Sequence, residues 1–413
     1  MSQSAASRFV VLQNPISNEG HLDSWHVLLI HLLREAGFKI IALTSDPAGL
    51  LAKLKDFPEY VAGDVAVLSA PRQNKFKRVA RRVANRLQSV ASWLRGAPRR
   101  KITHFSPASL QEELNWVLQQ YPGQIQTIFS LYIDAYAPEA TAWHSFRLSE
   151  QIPLFGLCIT PDAAQTEGYY ACARYAGTCF LDEDAVKRYR LHYPAKYFEY
   201  LPDITDTRLR EDFLITNQQV REIKSRARGR KIVFMGGSIG KQKNLAVWHE
   251  VVRTSSPAEW FFVQIGRINR NNLTPADEAS LERISTNTPE NLYVYDDYLA
   301  DEREFNEIIA SSDVIFAVYR DFTRSSNMLS KAASFRKPVL VSQAGLMGER
   351  VSRFKIGSTV IADDVNSIIS GLSSVVRAPG LDRYFEEYLQ IFSHEAMQTK
   401  LVNFLQLGRN PIN

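Results

Sequence analysis

Short apolar runs alternate with stretches of helical periodicity from one end of the chain to the other. Runs at Phe9–Leu12, Phe38–Leu43, Val61–Leu68, Ile125–Phe129, Leu154–Ile159, Thr178–Leu181 and Tyr197–Leu201 predict strands of a first domain. Lys231–Met235, Trp260–Ile265, Leu292–Tyr295, Val314–Val318 and Pro338–Val341 predict strands of a second. Helical spacing falls between them, at Leu22–Leu33, Ala185–Leu191, Leu245–Val252, Phe305–Ala310 and from Met328 to Phe335. Runs apolar at every position suit strands covered on both faces, and their alternation with helices predicts an α/β protein with parallel sheets. Residues 207–230 are charged and poor in apolar side chains, which suits an interdomain linker. The expected organisation is a first domain over 1–206, that linker, a second domain over 231–380, and C-terminal helices over 381–413 that pack back on the first domain.

Composition changes this picture at one place. The chain has 413 residues, 45% hydrophobic and 23% charged, as expected of a globular protein of two or three domains. Its three cysteines, Cys158, Cys172 and Cys179, show neither metal-ligand spacing nor a disulfide framework, which suits a reducing cytoplasm. No leader-like or membrane-spanning apolar run is evident. The net charge of +5 conceals an asymmetry, because eleven Lys and Arg fall between Arg72 and Lys101 and no acidic residue lies between Asp64 and Glu112. Within 72–101, Phe76, Val79, Val83, Leu87, Val90 and Leu94 share one helical face, with Trp93 beside it. Arg78, Arg81, Arg82 and Arg86 occupy the flanks and the opposite face. A basic amphipathic helix without acidic partners suits contact with an anionic membrane surface through these arginines and the Phe76/Trp93 side, better than an ordinary solvated helix face or a nucleic acid. The chain is therefore expected to be cytoplasmic and peripheral, at the inner face of the cytoplasmic membrane.

Two loops carry candidate chemistry. Strand Lys231–Met235 leads into Gly236-Gly237-Ser238-Ile239-Gly240-Lys241-Gln242-Lys243-Asn244 and then a helix. Glycines between strand and helix let backbone N–H groups approach phosphate oxygens, and Lys243 with Asn244 adds a cation and a polar amide. In the stretch Asp313 to Ser342, the residues Ser325, Ser326 and Asn327 stand where a helix should begin. They are expected to cap it, and its free N–H groups suit a phosphate. Lys331 lies one turn on and either reaches back to phosphate or ribose or points to solvent. Arg267 ends a strand and is equally a phosphate candidate or a surface arginine. In the first domain Gly20 and His21 open the first helix, while Asp134 and Asp162 follow strands; all four suit a strand-end site. Each is also an ordinary turn or cap residue. Asp182-Glu183-Asp184 reads as helix capping rather than a metal motif, and no metal site is expected.

The stretch Lys331-Ala332-Ala333-Ser334-Phe335-Arg336-Lys337-Pro338-Val339 resembles the end of the loop-and-helix motif of GT-B glycosyltransferases, especially the large retaining group with a G-R-L…K loop and an E-x7-E helix. The glycine loop is similar in turn, with Gly237-Ser238-Ile239 on G-R-L and Lys243 on the lysine. The resemblance implies two Rossmann-like, doubly wound parallel-sheet domains facing a central cleft, with a nucleotide-diphosphate sugar of UDP or GDP type as donor and no other cofactor. It implies donor binding by Gly20, Gly237, Ser238, Lys243, Asn244, Arg267, Ser325, Ser326, Asn327 and Lys331, and chemistry near His21, Asp134 and Asp162. Thr323 and Lys331 stand where the two glutamates would be, Ser238 replaces the arginine, and Cys158 stands where a histidine is usual.

Two functions follow. One is transfer of a sugar to a membrane-associated acceptor, such as a lipid-linked saccharide, in polysaccharide or glycoconjugate assembly. The other is a degenerate GT-B protein that binds nucleotide sugar or glycan without turnover. An NAD-linked oxidoreductase is disfavoured because the first strand is not followed by G-x-G-x-x-G.

Overall fold

A computed structural model describes residues 8–16, 21–57, 63–69, 105–162, 164–299, 301–377 and 380–407, of which 21–23 and 377 are described by their backbone alone. Phe76, Arg78, Arg81, Arg82, Arg86 and Trp93, with Gly20, lie outside the described residues. The chain divides into two compact units, residues 1–201 with 397–413, and residues 202–396. Each is a parallel sheet covered by helices, as expected from the alternating pattern.

The first unit has seven strands: β1 (Phe9–Gln13), β2 (Lys39–Thr44), β3 (Val65–Ser69), β4 (Ile125–Ser130), β5 (Leu154–Cys158), β6 (Tyr175–Phe180) and β7 (Tyr197–Tyr200). They lie in the order β3-β2-β1-β4-β5-β6-β7, every pairing parallel. The winding reverses between β1 and β4. The helix His21–Glu35 returns the chain from β1 to β2, burying Trp25, Leu28, Leu29 and Leu32 at the spacing that predicts it. It stops at Gly37, whose φ of +84° lets the Gly37 and Phe38 N–H groups fold back on the last carbonyls. The C-terminal helix His394–Leu407 ends in this unit, where the Phe404 ring lies 4.7 Å from that of Phe155 and Gln398 donates to the Leu32 carbonyl at 2.8 Å.

The second unit has six strands: β8 (Lys231–Gly236), β9 (Trp260–Ile265), β10 (Leu292–Tyr295), β11 (Val314–Ala317), β12 (Val339–Ser342) and β13 (Gly357–Val360). Their order is β10-β9-β8-β11-β12-β13, again all parallel, and the winding reverses between β8 and β11. The core packs the Trp248 indole between Phe262 and Phe316 at 5.3 and 4.8 Å. The buried His249 imidazole is held by Ser280 and Gln264, and burial pushes its pKa down to about 4. Strand β13 is four residues long and opens on Gly357, where a Cβ would stand 1.8 Å from the Val339 carbonyl oxygen. So short a run, opening on glycine, carries no apolar signature.

Residues 207–230, expected as an interdomain linker, carry structure of their own. Phe213–Thr216 and Gln218–Ala227 are helical, and Val220, Ile223 and Ala227 are buried. Arg210 donates to both oxygens of the buried Glu307 at 2.7 and 2.6 Å, and Asn217 adds a bond of 2.7 Å. Burial alone would raise the Glu307 pKa; these hydrogen bonds outweigh it and hold the carboxylate below its ordinary range. The helix Asp382–Leu389 belongs to this second unit, and only residues from 397 onward join the first. Among the described residues no helix is long and apolar enough to cross a membrane.

Candidate functional site

In an open parallel sheet wound in both directions, the helices that follow the two strands at the reversal leave toward opposite faces. The carboxyl ends of those strands then border a gap that neither helix fills. In the second unit this gap lies at the ends of β8 and β11, and the glycine loop borders it. Gly237 has φ of +97° and Gly266 φ of +135°, and a Cβ on Gly266 would stand 1.9 Å from the Gly237 carbonyl oxygen. Only glycine permits the two strand ends to close that tightly. Lys241–Lys243 form a 3₁₀ turn, after which Asn244 turns left-handed at φ +54° and the helix Leu245–Thr254 begins.

Lys243 is the cation of this gap. Its Nζ donates to the Gly236 carbonyl at 2.8 Å and to the Tyr319 hydroxyl at 2.7 Å, and lies 4.2 Å from the Tyr319 ring centroid. An ammonium has three donors, so one remains for a ligand. The absent side chain of Gly237 would have faced it at 3.7 Å, so the approach stays open. Ser238, next along the loop from Gly237, is exposed. The Asn244 side chain is occupied within the protein, donating to the Ala362 carbonyl at 2.7 Å and accepting from Arg320. Arg320 also receives the Gln242 carbonyl on its backbone N–H at 2.9 Å and lies 3.6 Å from the buried Asp277. The Tyr319-Arg320 pair following β11 thus grips the loop following β8.

The remaining second-unit candidates have partners of their own. Arg267 is exposed and paired with Asp297 at 2.9 Å, which holds that carboxyl below its ordinary range. The capping expected of Ser325, Ser326 and Asn327 is not what forms. Asn327 takes the N-cap position of the helix Met328–Ser334 with helical backbone angles and no side-chain bond. Ser326 Oγ receives the Met328 N–H at a long 3.4 Å, and Ser325 Oγ accepts from Arg350 at 2.6 Å. Lys331 faces neither solvent nor an open site. It is buried, donating to Glu302 at 2.7 Å, to the Asp206 carbonyl at 3.1 Å and to Asn306.

In the first unit, His21 is the first residue of its helix. Asp134 lies in the 3₁₀ turn Ile133–Ala135 after β4, and its Oδ2 accepts the Thr160 N–H at 2.9 Å. Asp162 is exposed in the loop after β5, where its carboxylate accepts from Ala164 N at 3.1 Å and Thr166 Oγ1 at 2.8 Å. The structure thereby brings Asp134 against the loop that carries Asp162. The buried Cys158 thiol is pushed well up by burial and then by Asp134 and Glu167, so it does not serve as a thiolate.

A second constellation escapes sequence reasoning. Gln13 and Ser130 end β1 and β4, the two strands at the reversal of the first sheet. Ser130 Oγ donates to Gln13 Oε1 at 2.7 Å, and Gln13 Nε2 bonds the Tyr136 hydroxyl at 2.8 Å and Glu113 at 3.3 Å. Burial pushes the Glu113 carboxyl up to about 7, only partly offset by the Gln13 bond. Beside them the buried Asn14 takes the Ile16 N–H on Oδ1, and its Nδ2 finds no partner among the described residues. Gln13 and Ser130 could be suspected as polar ends of apolar runs. Glu113 could not, because its place on the helix Pro107–Gln120 gives no sign that it meets Gln13, 100 residues earlier in the chain. A surface depression lined by Arg253, Glu282, Arg283 and Asn287 lies at the C-terminal ends of the helices Leu245–Thr254 and Pro275–Thr286, away from the glycine loop.

No protein-family model matches the chain, and no curated protein matches it in sequence. Its structure is nevertheless similar to solved ones over nearly its whole length. An α,α-trehalose-phosphate synthase (UDP-forming) from Burkholderia vietnamiensis superposes with a TM-score of 0.66 at 13% identity, covering 98% of each chain. A glycosyltransferase from Rickettsia africae gives a TM-score of 0.66 at 11% identity, over 98% of this chain and 99% of that one. WaaG, a glycosyltransferase involved in lipopolysaccharide biosynthesis, gives 0.54 at 11%, over 96% and 99%. The fold is that of the GT-B glycosyltransferases, as the loop-and-helix resemblance implies.

The Glu113 carboxyl generates a pH prediction. Its folded-state pKa is raised from 4.5 to about 7, so the stability it contributes is complete below pH 4.5 and is lost as pH rises through 7. Glu113→Gln cannot ionise. Relative to the unmodified protein it is expected to gain stability between pH 5 and 8.5, on the order of 2–3 kcal/mol, in urea unfolding at the two pH values. An equal difference at both would show that Glu113 does not titrate in this range.

Proposed function

We propose that this protein is a glycosyltransferase, taking a sugar from a nucleotide-diphosphate donor of UDP or GDP type. The observation that carries this reading is the half-buried Lys243 ammonium, held at the winding reversal of the second sheet with one donor unspent and a bare glycine in front of it. Cleavage of the donor's glycosidic bond leaves negative charge on the diphosphate. A cation fixed in advance stabilises that charge without reorganising as it develops. Ser238, Arg267, Ser325, Ser326 and Asn327 would extend the donor site around Lys243. The UDP-forming relative supports a uridine donor.

The acceptor is assigned to the first unit, with Gly20 and His21 at its first helix and Asp134 or Asp162 as proton acceptor if the reaction inverts configuration. Membrane contact through Phe76, Arg78, Arg81, Arg82, Arg86 and Trp93, and a lipid-linked saccharide as acceptor, complete the proposal; the relative involved in lipopolysaccharide biosynthesis supports it. The degenerate reading, binding without turnover, draws on Lys331. Where the resemblance implies a glutamate, this lysine is spent inside the protein on Glu302 and Asn306. Release of free nucleoside diphosphate in the presence of an acceptor separates the two readings.

A thermal-shift screen against UDP, GDP, ADP, TDP and their sugar conjugates is expected to select one nucleotide, because a ligand bound only by the folded state raises the melting temperature. Lys243→Ala is expected to weaken that ligand about tenfold; unchanged affinity would remove the phosphate site. Exchanging Arg78, Arg81, Arg82 and Arg86 for Glu is expected to abolish sedimentation with anionic liposomes, and persistent binding would place membrane contact elsewhere.

A further inference from the structure

Tyr319 stands at the meeting of three features that the donor reading leaves unexplained. It lies two residues beyond the end of β11, the strand beside β8 at the reversal of the second sheet. It is 6% exposed, so its ring and hydroxyl are fixed by packing, with the Phe322 ring edge-on at 5.2 Å. Its backbone is tied in as well, since Ser342 Oγ donates to its carbonyl oxygen. The hydroxyl of this anchored side chain meets the Lys243 ammonium at 2.7 Å, while the ring centroid lies 4.2 Å from the same nitrogen.

A lysine on a short 3₁₀ turn has four side-chain torsions, and ordering it costs up to about 2 kcal/mol. Two fixed acceptors, the Gly236 carbonyl and the Tyr319 hydroxyl, meet that cost before any ligand arrives. They also direct two of the three donors inward, leaving the third on the side of Gly237. Arg320 contributes at the level of the loop, holding Asn244 and Gln242 in place. It makes no bond to the ammonium, so presenting the cation falls to Tyr319.

We infer that Tyr319 is a positioning residue of the anion site: its hydroxyl presents the Lys243 ammonium to the diphosphate of the donor. The inference rests on the reading of Lys243 as the diphosphate ligand and adds a residue to which nothing in the loop motif points. Tyr319 itself touches no reacting atom and acts through Lys243.

The test uses inorganic pyrophosphate, which carries the charge without a base or sugar, titrated calorimetrically into the full chain and three variants. Lys243→Ala is expected to weaken pyrophosphate about tenfold, and Tyr319→Phe, which keeps the ring and loses only the hydroxyl, about fivefold. The double variant is expected to bind no more weakly than Lys243→Ala alone, because a residue that acts through Lys243 has nothing left to position. The ligand-free melting temperature of Tyr319→Phe should match that of the unmodified protein, which separates positioning from general stabilisation. If Tyr319→Phe binds as the unmodified protein does while Lys243→Ala is weakened, the site stands and the role of Tyr319 falls. If the double variant multiplies the two losses, Tyr319 acts independently of Lys243 and the inference is equally overturned. If Lys243→Ala binds normally, or the unmodified protein does not bind pyrophosphate, the donor reading falls and this inference with it.

Discussion

The parallel pairing of β8 with β11 is the constraint on which the second unit's chemistry depends. Val314 and Ile315 of one strand register with Val233 and Phe234 of the other, four buried apolar residues. Because β8 continues to β9 on one side and β11 to β12 on the other, the chain diverges beyond the strand ends and leaves them open. Everything proposed for the donor follows from what lines that opening. Gly237 and Gly266 let the β8 and β9 ends close on each other without side chains. Lys243 enters the gap from the β8 side and Tyr319 from the β11 side, and their contact joins the two loops.

A second set of charges ties the chain together within the same unit. Lys331 with Glu302 and Asn306, and Arg210 with Glu307 and Asn217, fasten residues 206–217 to the helix Glu302–Ser311. Asn306 completes the set, donating to the Asp206 and Arg208 carbonyls at 2.9 and 3.1 Å. In each pair one partner, Lys331 or Glu307, is buried and the other about a third exposed, so the pair adds little net stability over apolar packing, whereas removing the exposed partner leaves a buried charge without compensation. Their effect is to specify where a polar segment lies. This explains physically why a segment so poor in apolar residues is nonetheless ordered, and why a lysine stands where the loop-and-helix resemblance implies a glutamate.

The sheets were legible because strands covered on both faces read as unbroken apolar runs: Val10–Leu12, Phe261–Val263 and Val314–Val318 are all buried. The glycine loop was legible because positive φ and close approach leave a trace in residue type. Legibility failed where a polar contact decides the outcome. Nothing in the local pattern shows that Lys331 turns inward, since its partners Glu302 and Asn306 lie in another helix. Gln13, Ser130, Tyr136 and Glu113 come together across sequence separations of 100 residues and more, which only the strand order reveals. The serines at 325 and 326 had the composition of a cap, but Arg350 takes Ser325 and the helix starts with a helical Asn327.

The claim at the centre of this account is that the diphosphate of a nucleotide donor lies at the winding reversal of the second sheet. A crystal structure of the protein with the nucleoside diphosphate that stabilises it most would test this directly. The account predicts phosphate oxygens within hydrogen-bond distance of Lys243 Nζ on the side of Gly237, with Tyr319 still bonded to the same nitrogen. A nucleotide bound away from Lys243, with the Gly237 side of its ammonium left to water, would contradict it.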